Sequence, residues 1–126
     1  MKSVRDVQIA IDRVRNGVVP TGELCDLLRH PSPLVRVNAA NALVDLARKT
    51  PNLLEELVAA ASDSANGFRL MGSVSVAHVI VGALVKVATA ESVEAVKGLI
   101  RVWPDADLGD LEWYLRSEGL EIGSPD

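Results

Sequence analysis

The tract Ala42-Leu43-Val44-Asp45-Leu46-Ala47 returns as Ala83-Leu84-Val85-Lys86-Val87-Ala88, each time at the end of a long apolar helical stretch. Self-similarity of this kind is what stacked helical repeats leave in a sequence, because every unit must offer its neighbours the same faces. The expected fold is all-α. Aromatic residues make up 3% of the chain while 48% is hydrophobic, so the core has to come from Leu, Val, Ile and Ala at close helix spacing. The 126 residues fit one domain, and a domain near that size buries roughly two thirds of the surface its unfolded chain exposes.

Local signals divide this single domain, 1–126. Residues 1–17 read as an N-terminal capping helix: Ser3 and Asp6 have capping-box spacing, Val4, Val7, Ile11 and Val14 form an apolar face, and Asn16-Gly17 ends it. In 18–50, Thr21 caps a short helix bearing Leu24, Leu27 and Leu28. The turn His30-Pro31-Ser32-Pro33 stops it, and Ser32 with Pro33 starts a helix running to Lys49. In 51–90, Thr50-Pro51 repeats that start and leads into Leu53, Leu54, Leu57, Val58 and Ala61. Ser62 to Gly72 reads as a loop around Asn66-Gly67, with Phe68, Leu70 and Met71 folding back onto the body. Ser73 to Thr89 is the second long helix; its β-branched run Val74, Val76, Val79, Ile80, Val81 leaves a strand as the alternative. In 91–119, a helix from Glu91 to Trp103 ends at Pro104. A last one, capped by Asp105 or Asp107 and supported by a Glu112–Arg116 pair, ends at Gly119. Residues 120–126 form a tail.

The two long helices share a further pattern. From Pro33 to Lys49, Val35, Ala39, Ala42, Leu43 and Leu46 make one apolar face and Leu34, Val37, Ala40 and Val44 another, which leaves Asn38, Asn41, Asp45 and Arg48 as one polar ridge. Ser75, His78, Gly82 and Lys86 form the matching ridge on the second helix, in a register that sets Asp45 opposite Lys86. The two ridges are expected to lie side by side and hydrated.

Charge and composition remove several function classes. A net charge of -4 disfavours a phosphate-binding surface, so nucleic acid is not an expected partner and a neutral or basic protein is the easier complement. Cys25 is the sole cysteine, the start of the chain has no signal-peptide core, and Val74 to Ala90 is short for a membrane span and carries His78 and Lys86. A cytoplasmic protein without membrane contact is expected. Cys25 and His30 give no catalytic geometry by spacing alone. Asp105, Asp107, Asp110 and Glu112 miss the calcium-loop pattern, since Gly109 falls early and Arg116 stands where the closing glutamate belongs. No metal, cofactor or catalytic constellation is expected, and the chain reads as a non-enzyme.

The stretch from Leu28 to Leu43, with its Leu-ended first helix, the Pro31-Ser32-Pro33 turn, Val35-Arg36, Ala39-Ala40 and Ala42-Leu43, resembles the core of a HEAT repeat. Pro51 to Thr89 is similar in its second half only, with Ala77 in the place of Arg36, and Glu91 to Gly119 agrees in helix order but not in motif. The resemblance implies a short right-handed α-α superhelix of about seven helices whose second helices line a protein-binding groove. It also implies that the arginine matched by Arg36 meets an acid of the turn, although here the turn offers His30 and Ser32. The expected contact residues are Asn38, Asn41, Asp45, Arg48, Ser75, His78 and Lys86, with Trp113 and Tyr114 either sealing the last layer or serving as interface anchors. Two other readings stay open: an immunity protein or antitoxin that neutralises a basic toxin, and a lyase or enzyme accessory with a pocket onto which Cys25, His30 or His78 converge. Pairing of open stack ends into a homodimer is also left open.

Overall fold

Eight α-helices account for most of the described residues, 4–122, in the computed structural model. They are α1 (Val4–Arg15), α2 (Thr21–Leu27), α3 (Pro33–Ala42), α4 (Val44–Lys49), α5 (Pro51–Ser62), α6 (Val76–Val87), α7 (Ala90–Ile100) and α8 (Asp105–Ser117). A 3-10 turn (Ser64–Gly67) and the short strands β1 (Arg69–Met71) and β2 (Val74–Ser75) join α5 to α6. The all-α expectation holds. The helices number eight rather than about seven because the stretch 33–49 divides at Leu43, whose N–H is shared between the carbonyls of Ala39 and Ala40. The ladder tightens there without being cut, since Ala47 N–H returns to Leu43 O at 2.8 Å.

The helix ends follow local chemistry. Pro33 and Pro51 sit in the first helical turn, where no N–H is needed. After α1, Gly17 takes a left-handed φ of 72°, so that Gly17 N–H reaches Val14 O and Val18 N–H reaches Arg13 O. After α8, Gly119 (φ 69°) does the same toward Arg116 and Leu115. Several expected caps are corrected. Pro20 and Pro104 occupy the N-cap places where Thr21 and Asp105 or Asp107 were expected, and Ser32 and Thr50 are N-caps without a side-chain bond. The side chains that do cap are Ser75, Thr89 and Asp63. The cap expected at Ser3 and residues 123–126 of the tail lie outside the described residues.

The expected loop 62–72 is instead ordered, and the second long helix starts three residues late. Gly72, at a φ of 51°, turns β1 back onto β2, and Val74 and Ser75 pair with Met71 and Arg69 before Ser75 caps α6. The strand alternative thus holds for two residues. Phe68 is exposed rather than folded back, while Leu70 packs against the core.

One buried cluster runs from Val14 to Leu115. At its centre α6 packs against α3, α4, α5, α7 and α8, and its Val76, Ile80, Val81, Ala83, Leu84 and Val87 are buried. Being surrounded explains the apolar length of α6; no helix among the described residues is long and apolar enough to cross a membrane. Gly82 permits close approach: a Cβ there would stand 2.9 Å from Cε2 of Tyr114 on α8. Val4, Leu34 and Leu46, assigned above to apolar faces, are exposed, while their helices bury the neighbouring positions Ile11 and Val14, Val35 and Val37, and Val44 and Ala47.

Candidate functional site

The two polar ridges meet along part of their length. Nζ of Lys86 on α6 donates to Oδ1 of Asn41 on α3 at 3.3 Å. Arg48, at the end of α4, reaches across to α6 and donates through Nε to Val87 O (3.1 Å) and through NH2 to Lys86 O (2.7 Å). Asp45 holds the same guanidinium through NH1. The expected Asp45–Lys86 opposition is therefore replaced by two neighbouring pairs, Asp45–Arg48 and Asn41–Lys86. Together these residues line an open cleft of about 550 Å³ with Val44 and Val85, closed on one side by Gly119 and Leu120.

Arg48 has a structural duty in this cleft. The last carbonyls of a helix have no partner within it, and a cation there also opposes the negative end of the helix dipole. The C-cap that follows, Ala88, is the one non-glycine residue with positive φ (59°) among the described residues. Arg48 thus spans α4 and the strained end of α6. Asn38 belongs to the same ridge but lies toward α1: its Oδ1 accepts from Nε of Arg15 at 3.1 Å, and its Nδ2 donates to Leu34 O.

The other half of the expected ridge is corrected. Ser75, His78 and Gly82 are buried, His78 being 1% exposed, because the 64–75 segment and α8 close over this end of α6. His78 Nδ1 accepts from Ser75 N–H at 3.0 Å, and Ser75 Oγ accepts from His78 N–H at 3.2 Å, forming a reciprocal capping box. Since Nδ1 is an acceptor, the ring proton resides on Nε2, which donates to Asp107 O at 3.2 Å. The ring also meets Trp103 edge-on at 5.6 Å between centroids. Burial pulls the imidazole below its ordinary pKa, partly offset by the bond to Asp107. A neutral ring with both nitrogens engaged ties α6 to α8 and leaves no lone pair for proton transfer.

Beside it, Arg69 of β1 pairs with Asp107 (3.1 Å) and Asp110 (3.6 Å), fastening the hairpin to the first turns of α8. A cavity of about 300 Å³ lies among Asp63, Arg69, His78, Trp103 and Asp107. Of the three groups that a ligand pocket was expected to gather, only His78 reaches it. Cys25 is half-buried on α2, where burial and the nearby Glu56 and Asp26 push the thiol pKa up and keep it protonated. His30 accepts at Nδ1 from Ser32 N–H in the α2–α3 turn. Arg36 is buried and donates to the carbonyls of His30 and Pro31 rather than to an acid, because the turn holds no carboxylate. Sequence reasoning missed Arg69 and Asp107 as partners; their opposite charges were visible, but their meeting depends on the hairpin.

The aromatic pair on α8 divides. Tyr114 is buried against Gly82, with its hydroxyl pKa raised by burial, whereas Trp113 is 57% exposed. The expected Glu112–Arg116 pair is not among the ion pairs of the described residues, and no group of three or more His, Cys, Asp or Glu among them could hold a metal ion. In comparisons with family models, curated proteins and solved structures, nothing matches this chain.

Proposed function

We propose that the chain is a small HEAT-like protein-binding module whose groove is the cleft between the α3–α4 ridge and the end of α6. The observation that carries this reading is the convergence of Asn41, Asp45 and Lys86 on one open surface above Val44 and Val85. The order of packing supports it: α2 lies against α3, α4 against α5, α5 against α6, and the second helices α3, α6 and α8 meet in succession. A preformed groove loses little conformational entropy on binding, so a few polar contacts of fixed geometry can select a partner. Asp45, with its carboxylate largely in water, and Lys86 are the groups free to re-pair with a ligand at small cost.

The test is partner capture from native lysate, quantified by mass spectrometry, with Asp45→Lys and Lys86→Glu. The groove reading expects both variants to melt like the parent and to lose the proteins that the parent retains. Unchanged capture by both contradicts it. Arg48 is unsuited to this test because its removal also uncaps α6.

A further inference from the structure

The cavity of about 300 Å³ beside His78 is lined by polar groups whose hydrogen-bonding capacity the fold does not use up. Ser75, 4% exposed, accepts at Oγ from His78 N–H, but its own hydroxyl proton meets no acceptor among the described residues. Ala77 N–H lies in the first turn of α6, before intrahelical carbonyls come within reach, and no other carbonyl takes it. Both residues line the cavity at the positive end of the α6 dipole. Asp63 lines it too. One of its carboxylate oxygens accepts from Ala65 N–H at 2.9 Å, yet it makes no ion pair among the described residues; Arg36 is near enough to feel its charge without pairing with it. Arg69 is the cation of the lining, and its guanidinium is already held by Asp107 and Asp110. Trp103, half-buried, adds an aromatic wall.

These groups select a ligand by elimination. Two carboxylates against one guanidinium repel a bare anion. A bare cation would satisfy Asp63 and leave the Ser75 hydroxyl and Ala77 N–H without an acceptor, at the usual cost of buried unpaired donors. His78 has both ring nitrogens engaged, so it offers neither a base nor a metal ligand. A molecule carrying an anion and a cation on one carbon meets both demands, and the volume, room for about ten waters at ~30 Å³ each, limits its size. We infer that this cavity binds a small zwitterion, a free apolar α-amino acid of about leucine's size. Its carboxylate meets Ser75 and Ala77 at the start of α6, its ammonium meets Asp63, and its side chain lies against Trp103. This cavity shares no residue with the α3–α4/α6 groove, so neither reading depends on the other.

L-Leucine serves as the probe, titrated against the full chain by calorimetry. In a Trp113→Phe chain Trp103 is the sole indole, and its emission should change as leucine enters. The analogues 3-methylbutylamine and 4-methylpentanoate each lack one of leucine's charged groups and should bind about tenfold more weakly or worse, because each leaves one end of the site unpaired. Asp63→Asn keeps an acceptor for Ala65 N–H while removing the charge; it should weaken leucine by about tenfold or more and leave 4-methylpentanoate binding no weaker. Asp45→Lys, in the groove, should change leucine binding by less than about twofold, since distant charges act only through screened fields. The inference is overturned if leucine does not bind the parent, or binds without changing Trp103 emission. It is equally overturned if either analogue binds the parent as tightly as leucine, or if Asp63→Asn leaves leucine binding unchanged. The analogue comparison uses the parent chain alone and so holds whether or not the variant folds.

Discussion

His78 shows what one buried ring can do for a fold of this size. Its ordinary pKa is 6.5, and burial holds the folded value lower, so the unfolded chain takes up the proton first as pH falls. The stability that the neutral ring contributes is complete above about pH 6.5 and declines below it, until the folded protein also protonates. His78→Asn keeps an acceptor for Ser75 N–H but removes the titration and the bond to Asp107. Urea midpoints at pH 7.5 and 5.5 should therefore fall further apart for the parent than for the variant; equal separations contradict the assignment. Ala88 makes the opposite case. A left-handed residue with a Cβ costs about 1–2 kcal/mol, and glycine's extra unfolded-state entropy offsets about 0.4–1 kcal/mol of any relief. Ala88→Gly should accordingly raise stability by about 0.5–1 kcal/mol in denaturant melts, with the Arg48 clamp intact.

At the level of elements, the joint between α6 and α8 is set by a missing side chain. Gly82→Ala would push a methyl into the Tyr114 ring, and such overpacking should destabilise by about 1–3 kcal/mol. Gly98, inside α7, faces open space, so Gly98→Ala should instead stabilise by about 0.5–1 kcal/mol through helix propensity. The pair of melts separates crowding from propensity, and destabilisation by both substitutions would contradict the packing described. Elements whose causes lie within a few residues were legible from sequence: the proline starts at Pro33 and Pro51, the glycine stops at Gly17 and Gly119, the apolar run of α6. What came from a distance was not. Helical spacing sets His78 and Lys86 near one side of α6, yet it cannot tell that α8 and the hairpin cover the first and leave the second open. The hairpin itself was hidden because its strands are three and two residues long, too short for an alternating pattern to register.

For the whole molecule, the account rests on α6 being wrapped by its neighbours while its C-terminal end stays beside α3 and α4. The echo of Ala42–Ala47 in Ala83–Ala88 was the legible part of the candidate site, because both tracts end on the same surface and bring Asn41, Asp45 and Lys86 together. Its N-terminal half was closed over by an insertion the echo does not contain. The placement of the ridges can be measured without knowing any partner. In a Cys25→Ser background, cysteines at positions 41 and 86 should be joined rapidly within one molecule by a short bifunctional maleimide, and the reaction should be lost in denaturant. A folded double variant that resists this cross-link, or forms it only between molecules, would contradict the shared groove.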